Sequence, residues 1–181
     1  MNHIVFQSKC QGYSHIKSDL ECQDSTLVKK TEKYAIAVVA DGHGSASYFR
    51  SSRGSLFATE AAITAIEELL ETILSDKSNM DDFCASIDKH LIQLERSVIA
   101  RWHERVEDDY SKNPFLDSEI LKVDEKHKEK YLKGERIEAA YGSTLIAVAC
   151  TDAFWFGIHI GDGKCITCDY SGNFAEPIPW D

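Results

Sequence analysis

Positive charge is scarce in this chain. Its 181 residues carry 20 Lys and Arg against 30 Asp and Glu, a formal charge of −10. So acidic a field repels a phosphate backbone and an anionic lipid surface alike, which excludes a non-specific nucleic-acid or membrane-surface binder. Long apolar runs are missing as well: none approaches the roughly 18 residues of a membrane span. Residues 1–17 lack the basic patch and apolar core of a secretory leader, so a cytoplasmic protein without membrane or nucleic-acid partners is the expectation. Cys10, Cys22, Cys84, Cys150, Cys165 and Cys168 lack the dense regular spacing of a secreted disulfide scaffold and read as reduced, mostly buried thiols. Cys165 and Cys168 have the spacing of half a zinc knuckle, but no second pair follows, and the seven histidines include no HExxH-type pair. Repeats and low-complexity tracts are absent. With 43% apolar residues the chain can bury a core, and its length favours one domain over residues 1–181.

What is present is a mixture of strand and helix patterns. Residues 34–40 give the clearest strand: aromatic, β-branched and almost continuously apolar, as expected where both faces are covered. Shorter strands are expected at 4–8 and 25–29, with a polar loop over 11–24. Residues 47–74 carry Ala62, Ile66, Leu69, Leu70 and Ile73 at helical spacing, which fits one long helix or two broken near Gly54. After a polar connection over 75–79, with Asn79 or Asp81 as N-cap, residues 82–105 place Phe83, Ile87, Leu91, Leu94, Val98 and Trp102 on one helix face. Two such helices pack side by side against a sheet. Residues 106–138 turn strongly charged and read as a surface excursion. Residues 143–150, 153–160 and 164–169 then read as three strands of an antiparallel meander. Strands, two long helices, then strands again give an α+β layered fold, not a βαβ repeat.

Chemistry concentrates where the clearest strand ends, at Asp41-Gly42-His43-Gly44. A carboxylate at a strand end can bridge divalent ions, and a neighbouring glycine lets its carbonyl approach a metal with no Cβ in the way. An imidazole beside a metal-bound phosphoester could protonate a leaving alkoxide. Taken alone, the same four residues also fit a tight turn in which Asp41 caps the next helix. Two other segments answer them. Gly12-Tyr13-Ser14-His15 is followed by Cys22-Gln23-Asp24, and Tyr141-Gly142-Ser143-Thr144 by Ile160-Gly161-Asp162-Gly163. Singly, Asp24 reads as a loop residue, Asp162 as a turn residue and Thr144 as a strand-start hydroxyl.

Together these segments, over nearly the whole chain, resemble the PPM-type, protein phosphatase 2C-like family of metal-dependent serine/threonine protein phosphatases, in the form of a bacterial branch. The resemblance implies a β-sandwich flanked by antiparallel helix pairs, a four-layer αββα fold with two, or three, Mn²⁺ or Mg²⁺ ions at one end. Asp41 and Gly42 would then be metal ligands, with Asp24 among the metal and catalytic residues, Asp162 at a third, weaker ion, His43 as general acid and Thr144 as support. The implied reaction is attack of a metal-bridging hydroxide on phosphoserine or phosphothreonine, with phosphorylated proteins and a cognate serine/threonine kinase as the implied partners.

Three departures qualify the resemblance. Gln23 stands where many relatives carry an acidic residue, and Asp19 where they carry a phosphate-binding arginine, leaving Lys17 or His15 as substitutes. The family's later metal-binding carboxylates have no counterpart before Asp181, so the chain is expected to be the N-terminal two-thirds of the domain, incomplete at its C-terminal end. Two alternatives follow: a catalytically silent phosphatase-like binding module or inactive fragment, and a hydrolase of small phosphoesters.

Overall fold

The computed structural model describes residues 3–17 and 20–178; Asp19, Pro179, Trp180 and Asp181 lie outside the described residues, as does the side chain of Ser14. In chain order the elements are α1 (Tyr13–Lys17), β1 (Ser25–Lys30), β2 (Tyr34–Ala40), a 3-10 turn (Ala46–Tyr48), α2 (Ser51–Ile73), α3 (Lys77–Ala85) and α4 (Ile87–Lys112). There follow α5 (Asp117–Ile120), α6 (Glu125–Leu132), α7 (Ile137–Ala140), β3 (Leu145–Thr151), β4 (Trp155–Ile160), β5 (Thr167–Cys168) and β6 (Phe174–Ala175). The first four strands form one antiparallel sheet in the order β1-β2-β3-β4, and β5 pairs with β6 alone. The chain is therefore an α+β protein with antiparallel sheets.

Alternation fixes which face of the large sheet is buried. Tyr34, Ile36, Val38 and Ala40 of β2, Leu145, Ala147 and Ala149 of β3, and Phe156 and Ile158 of β4 point one way and are all buried. They meet Ala58, Ala61, Ala62, Ala65, Ile66, Leu70 and Ile73 of α2, a stripe at helical period whose alanines let the helix lie close to the strands. Leu94 and Val98 of α4 close the core from the far side of α2. The other sheet face is covered unevenly, since Ala35 is buried while Val39 and Trp155 are exposed.

Several expectations are corrected. Residues 4–8 are irregular, with Ile4 and Phe6 exposed and no strand partner among the described residues. Gly54 lies inside α2 and breaks nothing. A Cβ there would sit 1.7 Å from the Tyr141 carbonyl oxygen, so the position needs glycine for close contact, outweighing the roughly 1 kcal/mol helical cost of glycine relative to alanine. The helix expected over 82–105 is two helices parted at Ser86. The cap of α3 is Asp76, whose carboxylate accepts the Asn79 N–H at 3.0 Å, rather than Asn79 or Asp81. The expected third strand of the meander shortens to Thr167–Cys168 and leaves the sheet to pair with Phe174–Ala175.

Residues 106–138 are more than a surface excursion. Helix α4 runs on to Lys112, and Val106, Ile120, Val123, Tyr131, Ala140 and Tyr141 make a second core that also takes in Phe49 and Phe115. Charge dominates this segment's composition, which hides an apolar set spaced too irregularly for one helix. The thiols are not buried as expected: Cys10, Cys84 and Cys168 are exposed and the other three half-buried, because they fall on irregular segments, an outer helix face and the outer sheet face. All six are free.

Candidate active site

The sheet gathers the candidate residues at one end. Ser25 pairs with Ala40 as the last rung between β1 and β2, so Asp24 and Asp41 leave adjacent strands side by side. Beyond β2 the chain stays zipped to the approach of β3: Gly42 bridges Ser143, the Thr144 N–H donates to the Asp41 carbonyl at 2.8 Å, and the Asp41 N–H donates to Thr144 Oγ1 at 3.1 Å. Thr144 is thus a two-point backbone clamp on Asp41. Leu145 pairs with Ile160, so the turn after β4 brings Asp162 to the same end. Gly161 there has φ 99°, and a Cβ on it would meet Thr144 Cγ2 at 2.8 Å. The pocket between these turns is lined by Asp41, Gly42, His43, Tyr48, Thr144 and Asp162. A second hollow, on the other side of Asp41, adds Lys9, Cys10 and Asp24.

Gly42 is buried where no side chain fits, since a Cβ would lie 2.5 Å from the Gln23 carbonyl and 2.9 Å from that of Ser51. His43 is half-buried. Its N–H donates to the Gly142 carbonyl at 3.1 Å, and its ring stands edge-on to Tyr48 with centroids 4.5 Å apart. Its Nδ1 is buried without a hydrogen-bond partner among the described residues, against a Gly142 whose Cβ, if it had one, would be 2.7 Å away.

Electrostatically the site gathers negative charge. Partial burial, then hydrogen-bonding contact with the Asp24 carboxyl and repulsion from Asp24 and Asp162, hold the Asp41 carboxyl above its ordinary range, with His43 pulling the other way. Two carboxylates in such contact need a shared proton or a cation between them. Their hard oxygens, beside a glycine carbonyl, suit Mg²⁺ or Mn²⁺ and no soft metal. The fit has a limit: among the described residues no three Asp, Glu, His or Cys side chains come together closely enough to hold an ion. Asp24 and Asp41 form a pair, with Asp162 facing them across the pocket rather than joining one cluster. Gln23 buries its Oε1 without a hydrogen-bond partner among the described residues.

Sequence reasoning missed Lys9. Its ammonium donates to the Asp24 carbonyl at 3.3 Å from an irregular segment, and no periodic pattern marks a contact made 15 residues away along the chain. Tyr48 was also missed; the signal for it is an aromatic residue following a glycine-rich turn, where it can pack on the imidazole.

A family model described as protein phosphatase 2C matches residues 11–179. None of the curated proteins matches the chain.

Proposed function

The chain belongs to the protein phosphatase 2C family, and from that membership we propose that it hydrolyses phosphoserine and phosphothreonine in proteins at the end of the sheet where Asp24, Asp41 and His43 meet. The observation that carries this reading is the meeting of Asp24 and Asp41 where β1 starts and β2 ends, beside the buried Gly42 and with Asp162 at the same end of the sheet. Asp24, Asp41 and the Gly42 carbonyl would hold Mn²⁺ or Mg²⁺, with Asp162 serving a further ion. When bound, such ions offset charge on the phosphoryl group and acidify water.

The remaining work belongs to the chain's own side chains. Thr144 fixes the Asp41 backbone through two hydrogen bonds, so the carboxylate is presented in one place. Lys9, at the Asp24 side, offers an ammonium to a phosphoryl oxygen in a neighbourhood that otherwise repels anions. With Nδ1 of His43 buried against Gly142, Nε2 is left to hand a proton to the departing serine or threonine oxygen. An alkoxide is a poor leaving group, and general acids of this kind typically contribute about 10²–10⁴-fold. The partners in this reading are phosphorylated proteins in the cytoplasm and the kinase that makes them. The uneven outer face of the sheet would be the inside of the αββα sandwich, with β5 and β6 beginning its second sheet.

The test is Mn²⁺-dependent hydrolysis of p-nitrophenyl phosphate, with Asp41→Asn as control. Turnover that needs the metal and disappears in Asp41→Asn supports the proposal, and a folded, metal-binding protein without turnover sinks it. That no third carboxylate among the described residues joins the pair favours a second reading, a silent phosphoprotein-binding module. That reading predicts phosphopeptide binding without phosphate release.

A further inference from the structure

Arg50 is 6% exposed, yet nothing in the proposed chemistry uses it. All five of its guanidinium N–H groups are committed. Nε and Nη2 grip the two oxygens of Glu119 at 2.9 Å each, Nη2 also reaches the Pro114 carbonyl at 3.1 Å, and Nη1 donates to the Asn113 carbonyl at 2.6 Å and the Tyr141 hydroxyl at 2.8 Å. Its Cζ lies over the Phe115 ring, 4.8 Å from the ring centre. So saturated an arginine has no donor left for a substrate phosphate, and its task is to hold residues 113–141 against the start of α2.

What it holds is the segment on which the His43 turn rests. The Arg50 N–H donates to the Ala140 carbonyl at 2.9 Å, the Tyr131 hydroxyl donates to the Ser47 carbonyl at 2.6 Å, and the Phe49 ring lies edge-on to Phe115 and Tyr131 at 4.9 and 5.4 Å. One residue past Tyr141, Gly142 receives the His43 N–H and backs its Nδ1. Residues 43–50 are therefore held at the His43 end by Gly142 and at the Arg50 end by residues 113–141, most of which composition alone would call a solvated excursion.

We propose that residues 113–141 are a clamp that sets the position of His43, with Arg50 and Tyr131 as its positioning residues. The inference rests on the reading of His43 as the acid that protonates the leaving oxygen. It gives the clamp a signature that simple destabilisation lacks. A p-nitrophenolate leaves without a proton, whereas a threonine alkoxide needs one. Loosening the clamp must slow phosphothreonine hydrolysis and spare p-nitrophenyl phosphate.

Tyr131→Phe removes one hydroxyl from the clamp, and Arg50→Lys keeps the charge while losing the fork. Each variant is compared with wild type on a phosphothreonine peptide and on p-nitrophenyl phosphate, with amide hydrogen exchange over residues 43–50. The expected result is a fall of about 10-fold in kcat on the peptide, a tenth of the smallest general-acid contribution, with at most a twofold change on the aryl ester. The loss should vanish when His43→Ala is already present, because residues acting as one unit are not additive. Exchange at the Tyr48 and Arg50 amides should rise about 10-fold or more in both variants while the β2–β3 amides stay protected. Equal losses on the two substrates, or none, overturn the clamp. A wild type inactive on both substrates sinks the phosphatase reading alone. The exchange data then decide the clamp by themselves, with faster loop exchange supporting it and unchanged exchange overturning it.

Discussion

Replacing Arg50 by Met tests how far the structure hangs on one buried charge. The substitution fills similar volume but leaves Glu119, whose side chain is 24% exposed, without its partner, and strips the Asn113 and Pro114 carbonyls of their donors. Tyr141 fares better, since its hydroxyl still donates to Asp109 at 2.6 Å. Breaking a buried ion pair from one side costs about 3–5 kcal/mol, and partial exposure of Glu119 puts this case at the low end, near 3 kcal/mol. At about 2–4 °C per kcal/mol for a chain of this size, Tm should fall by roughly 6–12 °C. The loss has a pH signature. Burial pushes the Glu119 carboxyl up, but the Arg50 hydrogen bonds, the Leu116 N–H and the nearby guanidinium charges win and hold it below the usual carboxylate range. A carboxyl depressed in the folded state stabilises it above the unfolded pKa of about 4.3 and loses that contribution as pH falls through the folded value. The gap between wild type and Arg50→Met should therefore be full at neutral pH and shrink below about pH 4. Urea denaturation at both pH values measures it. A variant within about 0.5 kcal/mol of wild type, the range of ordinary surface changes, would show that Arg50 does not hold Glu119 in place. So would a gap that ignores pH.

Further outcomes follow from the site. Asp41→Asn removes a carboxyl whose folded-state pKa is raised, so its ionisation opposes folding above that pKa. The metal-free variant should melt higher than metal-free wild type at neutral pH, the difference should narrow on acidification, and Mn²⁺ should stabilise wild type but not the variant in differential scanning fluorimetry. Gly142→Ala would put a Cβ 2.7 Å from His43 Nδ1 and 2.9 Å from Tyr48. Overpacking of this kind costs about 1–3 kcal/mol, and kcat on a phosphothreonine peptide should fall further than on p-nitrophenyl phosphate. Lys9→Met should raise KM and weaken inhibition by inorganic phosphate several-fold, with kcat changing little, and Lys9→Arg should restore both. An unchanged phosphate inhibition constant would remove Lys9 from the site.

Much of the fold was legible because apolar pattern and structure agree wherever one face is buried. β2 ends at Tyr34 and Ala40 as its apolar run does, and the α2 stripe from Ala62 to Ile73 follows from period alone. Legibility failed where a contact far along the chain decides the outcome. Gly54 looks like a break until the Tyr141 carbonyl is seen against it, and Arg50 looks like surface charge until Glu119, 69 residues on, closes around it. At the site, Asp41, Gly42 and His43 stand out as a strand end followed by a glycine-rich turn, whereas Asp24 is singled out only by the family resemblance; the sheet register sets Asp24 and Asp41 side by side. The closeness of Asp24 to Asp41, the distance kept by Asp162 and the presence of Lys9 depend on turn geometry that residue types do not encode.

In the proposed function, the carboxylate pair where β1 starts and β2 ends is the centre of a metal-dependent protein phosphatase. Its most direct test is the initial rate of phosphate release from a phosphothreonine peptide, measured with Mn²⁺ and with chelator, for wild type and Asp41→Asn. Release by wild type only with Mn²⁺ is expected, with a loss of about 10²–10³-fold in Asp41→Asn, the scale of removing a principal electrostatic element of a site. Release that survives Asp41→Asn, or none from folded, Mn²⁺-bound wild type, would contradict the proposed function.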